Sequence, residues 1–148
     1  MIEHTYFVCK SSWCVNIKVI AEYTDFDKMD MNSKTIKVAD GIWMKFADKP
    51  IADNEIFCDD DLPYLVKGLE IVQKEIIKNS MYRNTLIIIY SLQFSLCDFQ
   101  EEGLIAAIIE WSSKAFSFSP PMINVDFNKE KNRYIFDFNN VGDGKRWE

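Results

Sequence analysis

Glycine and proline are scarce in this chain of 148 residues, with five of the first and four of the second. Their scarcity excludes a collagenous, linker-like or low-complexity protein. Gly41, Gly68, Gly103, Gly142 and Gly144 never fall into GxGxxG or GxxxxGK, so the glycine-rich loops that cradle phosphates are missing and no nucleotide cofactor is expected. Histidine occurs once, as His4 near the N-terminus, and no GxSxG elbow surrounds a serine. A Ser–His or Cys–His nucleophile would therefore have to be built on that one imidazole, and no catalytic residue is assigned. The four cysteines, Cys9, Cys14, Cys58 and Cys97, contain no CxxC pair, so no metal site is expected either. Cys9, Cys14 and Cys97 lie in or beside apolar strand-like runs and are expected to be reduced thiols that act as small buried hydrophobes.

Long hydrophobic runs are also missing. No unbroken apolar stretch exceeds the six residues of 104–109, and 86–90 has five, against the ~18–20 needed to cross a bilayer. Met1-Ile2-Glu3-His4-Thr5 has neither the basic start nor the apolar core of a signal peptide, so a cytoplasmic location without membrane contact is the expectation. Positive charge is in deficit: 17 Lys and Arg face 23 Asp and Glu, for a net charge of −6. Phosphate neutralisation cannot then be the main source of binding energy, and nucleic acid is not an expected partner.

What is present is a core. Hydrophobic residues make up 48% of the chain and charged residues 27%, and at the usual ~100–200 residues per domain the length accommodates one domain over 1–148. Such a chain buries about two thirds of its unfolded surface and folds without a disulfide or metal staple, as a monomer or weak homodimer.

Apolar periodicity predicts the elements. Thr5-Tyr6-Phe7-Val8-Cys9 and the run from Trp13 to Tyr23 read as a hairpin around Lys10-Ser11-Ser12. Thr35-Ile36-Lys37-Val38 and Ile42-Trp43-Met44-Lys45-Phe46 flank Asp40-Gly41, where either a hairpin turns or one strand bulges. Residues 62–79 form a helix whose core face carries Leu65, Leu69, Val72 and Ile76. Residues 85–97 form a strand that alternates Leu86, Ile88, Tyr90, Leu92, Phe94 and Leu96 against Ser91, Gln93 and Ser95, with Ile87 and Ile89 making its first half apolar on both faces. Asp98 and Glu101 have the spacing of a capping box before a second helix that carries Leu104, Ile105, Ile108 and Ile109 and stops at Pro120-Pro121. A terminal hairpin follows over 123–138, and 139–148 is expected to be a mobile tail. Two helices cover one face of such a sheet, so the predicted fold class is α+β: a two-layer sandwich with a mixed, mainly antiparallel sheet.

Charge patterning supplies the candidate site. Residues 53–61 hold five acids and no base. Asp60 or Asp61 can cap the helix at 62 and favour its dipole, but five carboxylates cannot all cap one helix. Asp53, Glu55, Asp59, Asp60 and Asp61 are therefore the candidate partner-binding acids, with Phe57 and Tyr64 as apolar anchors that bury on docking. Two other uses of the same chemistry stay open. Asp59, Asp60, Asp61, Asp98, Glu101 and Glu102 sit at the starts of the two helices and would serve a divalent-metal enzyme if they converged. Ile87 and Ile89 would serve a non-catalytic adaptor that pairs through a two-sided apolar strand.

Cys97-Asp98-Phe99-Gln100-Glu101-Glu102-Gly103-Leu104 through Ser119-Pro120-Pro121, followed by the stretch from Asn128-Lys129-Glu130 to Phe136-Asp137-Phe138, resembles small bacterial proteins encoded beside secreted polymorphic toxins. These act as the toxins' immunity proteins. The resemblance covers about the last third of the chain and implies an inhibitor that binds a cognate toxin domain and blocks its active site. The strand-then-helix unit also resembles the ribosomal S5 domain 2-like arrangement. For an acidic domain of this kind the partner is expected to be a protein with a locally basic surface.

Overall fold

The computed structural model describes residues 1–29, 34–51, 55 and 57–139. Asp53 and all of the expected tail except Asn139 lie outside them. The chain opens with β1 (Ile2–Cys9) and β2 (Cys14–Asp25), paired antiparallel from Ile2↔Ala21 to Cys9↔Cys14 as the expected hairpin. Strand alternation turns Val15, Ile17, Val19 and Ala21 inward, all at 0% exposure. β3 (Ile36–Ala39) and β4 (Ile42–Phe46) form a second hairpin around Asp40 and Gly41. Gly41 has φ +89, a left-handed value that a side chain would strain. Both readings of this segment hold, because the register also shifts between Lys37 and Ala39.

The first helical segment is interrupted once. α1 (Leu62–Ile71) and α2 (Gln73–Asn79) are separated by Val72, whose φ of −105 and ψ of 19 leave the helical region. Leu65, Leu69, Val72 and Ile76 are nevertheless all buried, as their spacing predicts. The chain then returns through β5 (Thr85–Gln93), runs into α3 (Glu102–Phe116) and ends in the antiparallel pair β6 (Asn124–Asn128) and β7 (Arg133–Asp137).

The main sheet has the order β1-β2-β5-β4-β3, and only β4 and β5 run parallel, joined by the crossover through α1 and α2. The fold is α+β, with a mixed, mainly antiparallel sheet and a separate two-stranded sheet. α1, α2, α3 and the inward strand residues share one apolar core, in which each buried Leu, Ile or Val side chain contributes roughly 1.5–3 kcal/mol. α1 crosses α3 closely enough that a Cβ on Gly68 would lie 2.3 Å from Ile108 Cγ2 and 2.9 Å from the Ile105 carbonyl oxygen. Only glycine fits there.

Three sequence expectations fail, each for a local reason. β5 ends at Gln93 instead of Cys97, because Ser95 starts a 3-10 turn in which its Oγ accepts from the Cys97 amide at 3.4 Å and its carbonyl from the Asp98 amide at 2.9 Å. Alternation along β5 is broken too: Ala21 pairs with Ile89 and Ile20 with Ser91, leaving Tyr90 as the extra residue of a bulge. Ile87, Ile89 and Leu92 consequently all join the core beneath the helices. Ile87 and Ile89 sit at 0% exposure in the central strand, with Leu86 and Ile88 buried on its other face, so the two-sided apolar half is a covered sheet centre and these two residues offer no edge for an adaptor to pair through. Finally, α3 begins at Glu102, and its N-cap residue Glu101 makes no side-chain cap bond. The capping box of Asp98 and Glu101 is absent, because Asp98 belongs to the preceding 3-10 turn.

Candidate functional site

Asp59–Asp61 form a 3-10 turn that leads into α1, closed by the Asp61 amide donating to the Cys58 carbonyl at 3.0 Å. Neither Cys58 nor Asp61 caps through its side chain. The capping role foreseen for Asp60 or Asp61 is therefore not realised at the Asp61 cap position, although three acids at the positive end of a helix remain favourable in sign. Asp59 and Asp60 are exposed, and among the described residues no Lys, Arg or His comes within ion-pair distance of Asp59, Asp60 or Asp61. Asp61 is half-buried. Loss of solvation, then the charge of Asp60, then that of Glu101 hold its carboxyl above the ordinary range. The starts of α1 and α3 thus bring Asp61 and Glu101 within electrostatic reach.

The other acids are engaged differently. Glu55 accepts from Ser91 Oγ at 2.9 and 3.1 Å and from the Leu92 amide at 2.6 Å, while Gln93 Nε2 donates to the same Ser91 Oγ at 2.9 Å. Beyond the end of β4, the Ala47 amide bonds to the Ile89 carbonyl and the Ile51 amide to that of Tyr90. Glu55 extends this seam with a carboxylate in place of a backbone carbonyl, so it holds the fold as well as carrying charge. Asp98 Oδ1 accepts from the Cys14 amide at 3.5 Å. Glu102 receives Arg133 Nη2 on both oxygens at 3.1 Å. Of the six acids weighed for a metal enzyme, Asp61 and Glu101 lie within electrostatic reach while Asp98 and Glu102 are engaged elsewhere, and among the described residues no three His, Cys, Asp or Glu side chains could hold a metal ion.

The two aromatic anchors are partly used up by the core. Phe57 stacks flat on Phe46, with ring centroids 4.3 Å apart, and Tyr64 is half-buried against the same core. Beside the acidic turn lies a groove of about 620 Å³ with Ile36, Phe46 and Leu62 on its apolar side and Lys45, Asp48 and Asp59 among its polar lining. A second concavity of about 520 Å³, lined by Thr5, Asn16, Lys18, Gln93, Ser95 and Asp98 among others, opens on the uncovered face of the sheet.

Two features escaped the sequence reading. Cys9 and Cys14 are joined as a disulfide across the last register pair of β1 and β2, with their Cα atoms 4.3 Å apart, and Cys97 is exposed, so none of the three is a buried free thiol. The signal was available, since a hairpin with four loop residues places its flanking cysteines opposite each other. His4, which precedes the strand expected from Thr5, stands on β1 with Nε2 2.8 Å from Glu110 Oε1 on α3. Among the described residues no helix is long and apolar enough to cross a membrane. The chain matches no protein-family model, and no curated protein matches it in sequence.

Proposed function

We propose that this chain is a non-catalytic inhibitor of the immunity kind, acting in the cytoplasm as a monomer or weak homodimer. It binds a cognate toxin domain with a locally basic surface and covers that domain's active site. The observation that carries the reading is the turn Asp59–Asp61, which concentrates three carboxylates without a described cation or a cap from Asp61. Like charges held together destabilise a fold unless solvent or a partner offsets them. A basic partner surface would do so, and the half-buried Asp61 would gain most. The apolar side of the adjoining groove, with Leu62 and Phe46, supplies the surface on which docking becomes long-lived.

Charge of this kind sets the speed of encounter more than its affinity. The test uses the protein encoded by the neighbouring reading frame as partner, with association rates measured against salt for the chain and for Asp59→Asn/Asp60→Asn. Slower association at low salt, a shallower salt dependence and an unchanged melt are expected. An association rate that neither salt nor the double substitution alters would move the interface to the open sheet face around Gln93 and Ser95.

A further inference from the structure

The four-residue loop 10–13, closed at its base by the Cys9–Cys14 disulfide, is one place where the terminal hairpin is fastened to the main sheet, beside the contact of Phe136 with Tyr6. Tyr134 of β7 is fully buried and puts its hydroxyl inside this loop, accepting from the Lys10 amide at 2.8 Å and donating to the Trp13 carbonyl at 2.6 Å. Lys10 Nζ donates to the Val125 carbonyl on β6, and Trp13 Nε1 donates to Asn132 Oδ1 at 3.0 Å. The Trp13 ring meets Tyr134 and Phe127 edge-on at 5.0 and 6.0 Å. Inside the loop, Ser11 Oγ bonds both the amide and the carbonyl of Trp13. Two residues of a short covalent ring thus present four polar groups to the hairpin, beside the grip of Gln100 on the Tyr134 backbone and of Glu102 on Arg133.

We propose that Cys9 and Cys14 are a reversible thiol–disulfide site whose substrate is a dithiol reductant, and that its redox state sets how firmly the β6–β7 hairpin is docked. Cys9 is exposed and Cys14 is half-buried, so the reductant's thiolate attacks Cys9 Sγ and forms a mixed disulfide there. Cys14 leaves as a thiolate and takes up a proton. The reductant's second thiol, deprotonated, then attacks its own sulfur in the mixed disulfide and releases Cys9, which is protonated in turn. Two electrons and two protons pass from the dithiol, which becomes a cyclic disulfide, to the two cysteines; oxidation reverses each step. A ring this short removes little loop-closure entropy from the unfolded chain, so the effect is concentrated on the loop and on what it holds. In a compartment that keeps thiols reduced, an accessible pair of this kind reports a change of redox conditions. The inference does not depend on the proposed inhibitor function.

The experiment compares amide hydrogen exchange in the oxidised chain, in the same chain reduced by dithiothreitol under native conditions, and in Cys9→Ala/Cys14→Ala, with alkylation and intact mass counting the thiols. Two reactive thiols are expected before reduction and four after it, since Cys58 and Cys97 are free. Exchange in β6 and β7 should rise at least about tenfold on reduction while β5 and α3 keep their protection, and the double variant should match the reduced chain and ignore dithiothreitol. Unchanged exchange in β6 and β7 would overturn the proposal. So would an equal rise throughout β5 and α3, which would make the bond a general staple, or four reactive thiols after treatment with a disulfide oxidant.

Discussion

The Tyr134 hydroxyl spans the two ends of loop 10–13, 2.8 Å from the Lys10 amide nitrogen and 2.6 Å from the Trp13 carbonyl oxygen. One phenol therefore closes a loop that lies 121 residues away in sequence from β7. Its backbone is held as well: the Tyr134 amide donates to Gln100 Oε1 at 2.9 Å, and Gln100 Nε2 donates to the Tyr134 carbonyl at 2.7 Å. Gln100 thus mimics a neighbouring strand for β7.

Tyr134→Phe tests the hydroxyl alone. The ring stays, but the Lys10 amide loses its acceptor in a partly buried place and the Trp13 carbonyl keeps only the Ser11 hydroxyl, which costs about 1–3 kcal/mol. A denaturant titration should show that loss with an unchanged slope. A change below about 0.5 kcal/mol would mean that water replaces the phenol in the loop.

Asp61→Asn should stabilise the chain at neutral pH. The native carboxyl is raised by desolvation and by Asp60 and Glu101, so ionised Asp61 is disfavoured in the fold relative to the unfolded chain. The stabilising contribution of its protonated form is present below the unfolded value of 3.8 and is lost as pH rises through the higher native value. Because the group is only partly buried, solvent screening limits the gain to about 0.5 kcal/mol. Melting curves of the two proteins should separate at neutral pH and converge in acid. A variant that melts lower at neutral pH would show that Asp61 is held by a contact that needs its charge.

The architecture was legible where one principle acts alone. Leu65, Leu69, Val72 and Ile76 lie three or four residues apart and are buried, and Asp40-Gly41 turns a hairpin as its composition implies. It failed where a second local preference competes. Apolar alternation continues through Phe94 and Leu96, yet the Ser95 hydroxyl captures the Cys97 amide and ends the strand first. The spacing of Asp98 and Glu101 fits a capping box, but that turn absorbs Asp98. At the site, the acidic run was visible while the division of labour within it was not. Glu55 reaches Ser91 and Leu92, 36 and 37 residues ahead, and no local pattern encodes such a pairing.

On the open face of the sheet, the Tyr90 phenol should make the fold sensitive to alkali. A hydrogen bond to the Glu22 carboxylate, then burial, then the Glu22 charge push its pKa from 10.0 up to about 12. The unfolded chain loses this proton first, so the stabilising contribution is complete below pH 10 and is lost as pH rises through about 12. Tyr6 is raised in the same direction by burial and by the charges of Glu110 and Tyr134. Glu22→Gln keeps an acceptor but removes the charge. Phenolate absorbance should then develop at lower pH than in the unmodified chain, and an identical titration would mean that Glu22 does not face Tyr90.

Glu55→Ala separates the acid that holds the fold from those proposed to meet a partner. Removing the carboxylate leaves the Leu92 amide and Ser91 Oγ without the oxygens they bond at 2.6 to 3.1 Å, in a strand where both residues are buried. Hydrogen bonds to a charged group are worth roughly 1.5–3 kcal/mol each, and a buried donor left alone adds its desolvation cost, so a loss of at least about 2 kcal/mol is expected. Glu55→Gln should lose less, because its amide oxygen still accepts from Leu92 and its amide nitrogen can donate to Ser91. Asp59→Asn/Asp60→Asn should show the reverse pattern: an unchanged melt and slower association with a basic partner at low salt. If Glu55→Ala melts like the unmodified chain while slowing association as much as the double variant does, Glu55 belongs to the docking surface, and the seam it forms along β5 is not what keeps that strand in place.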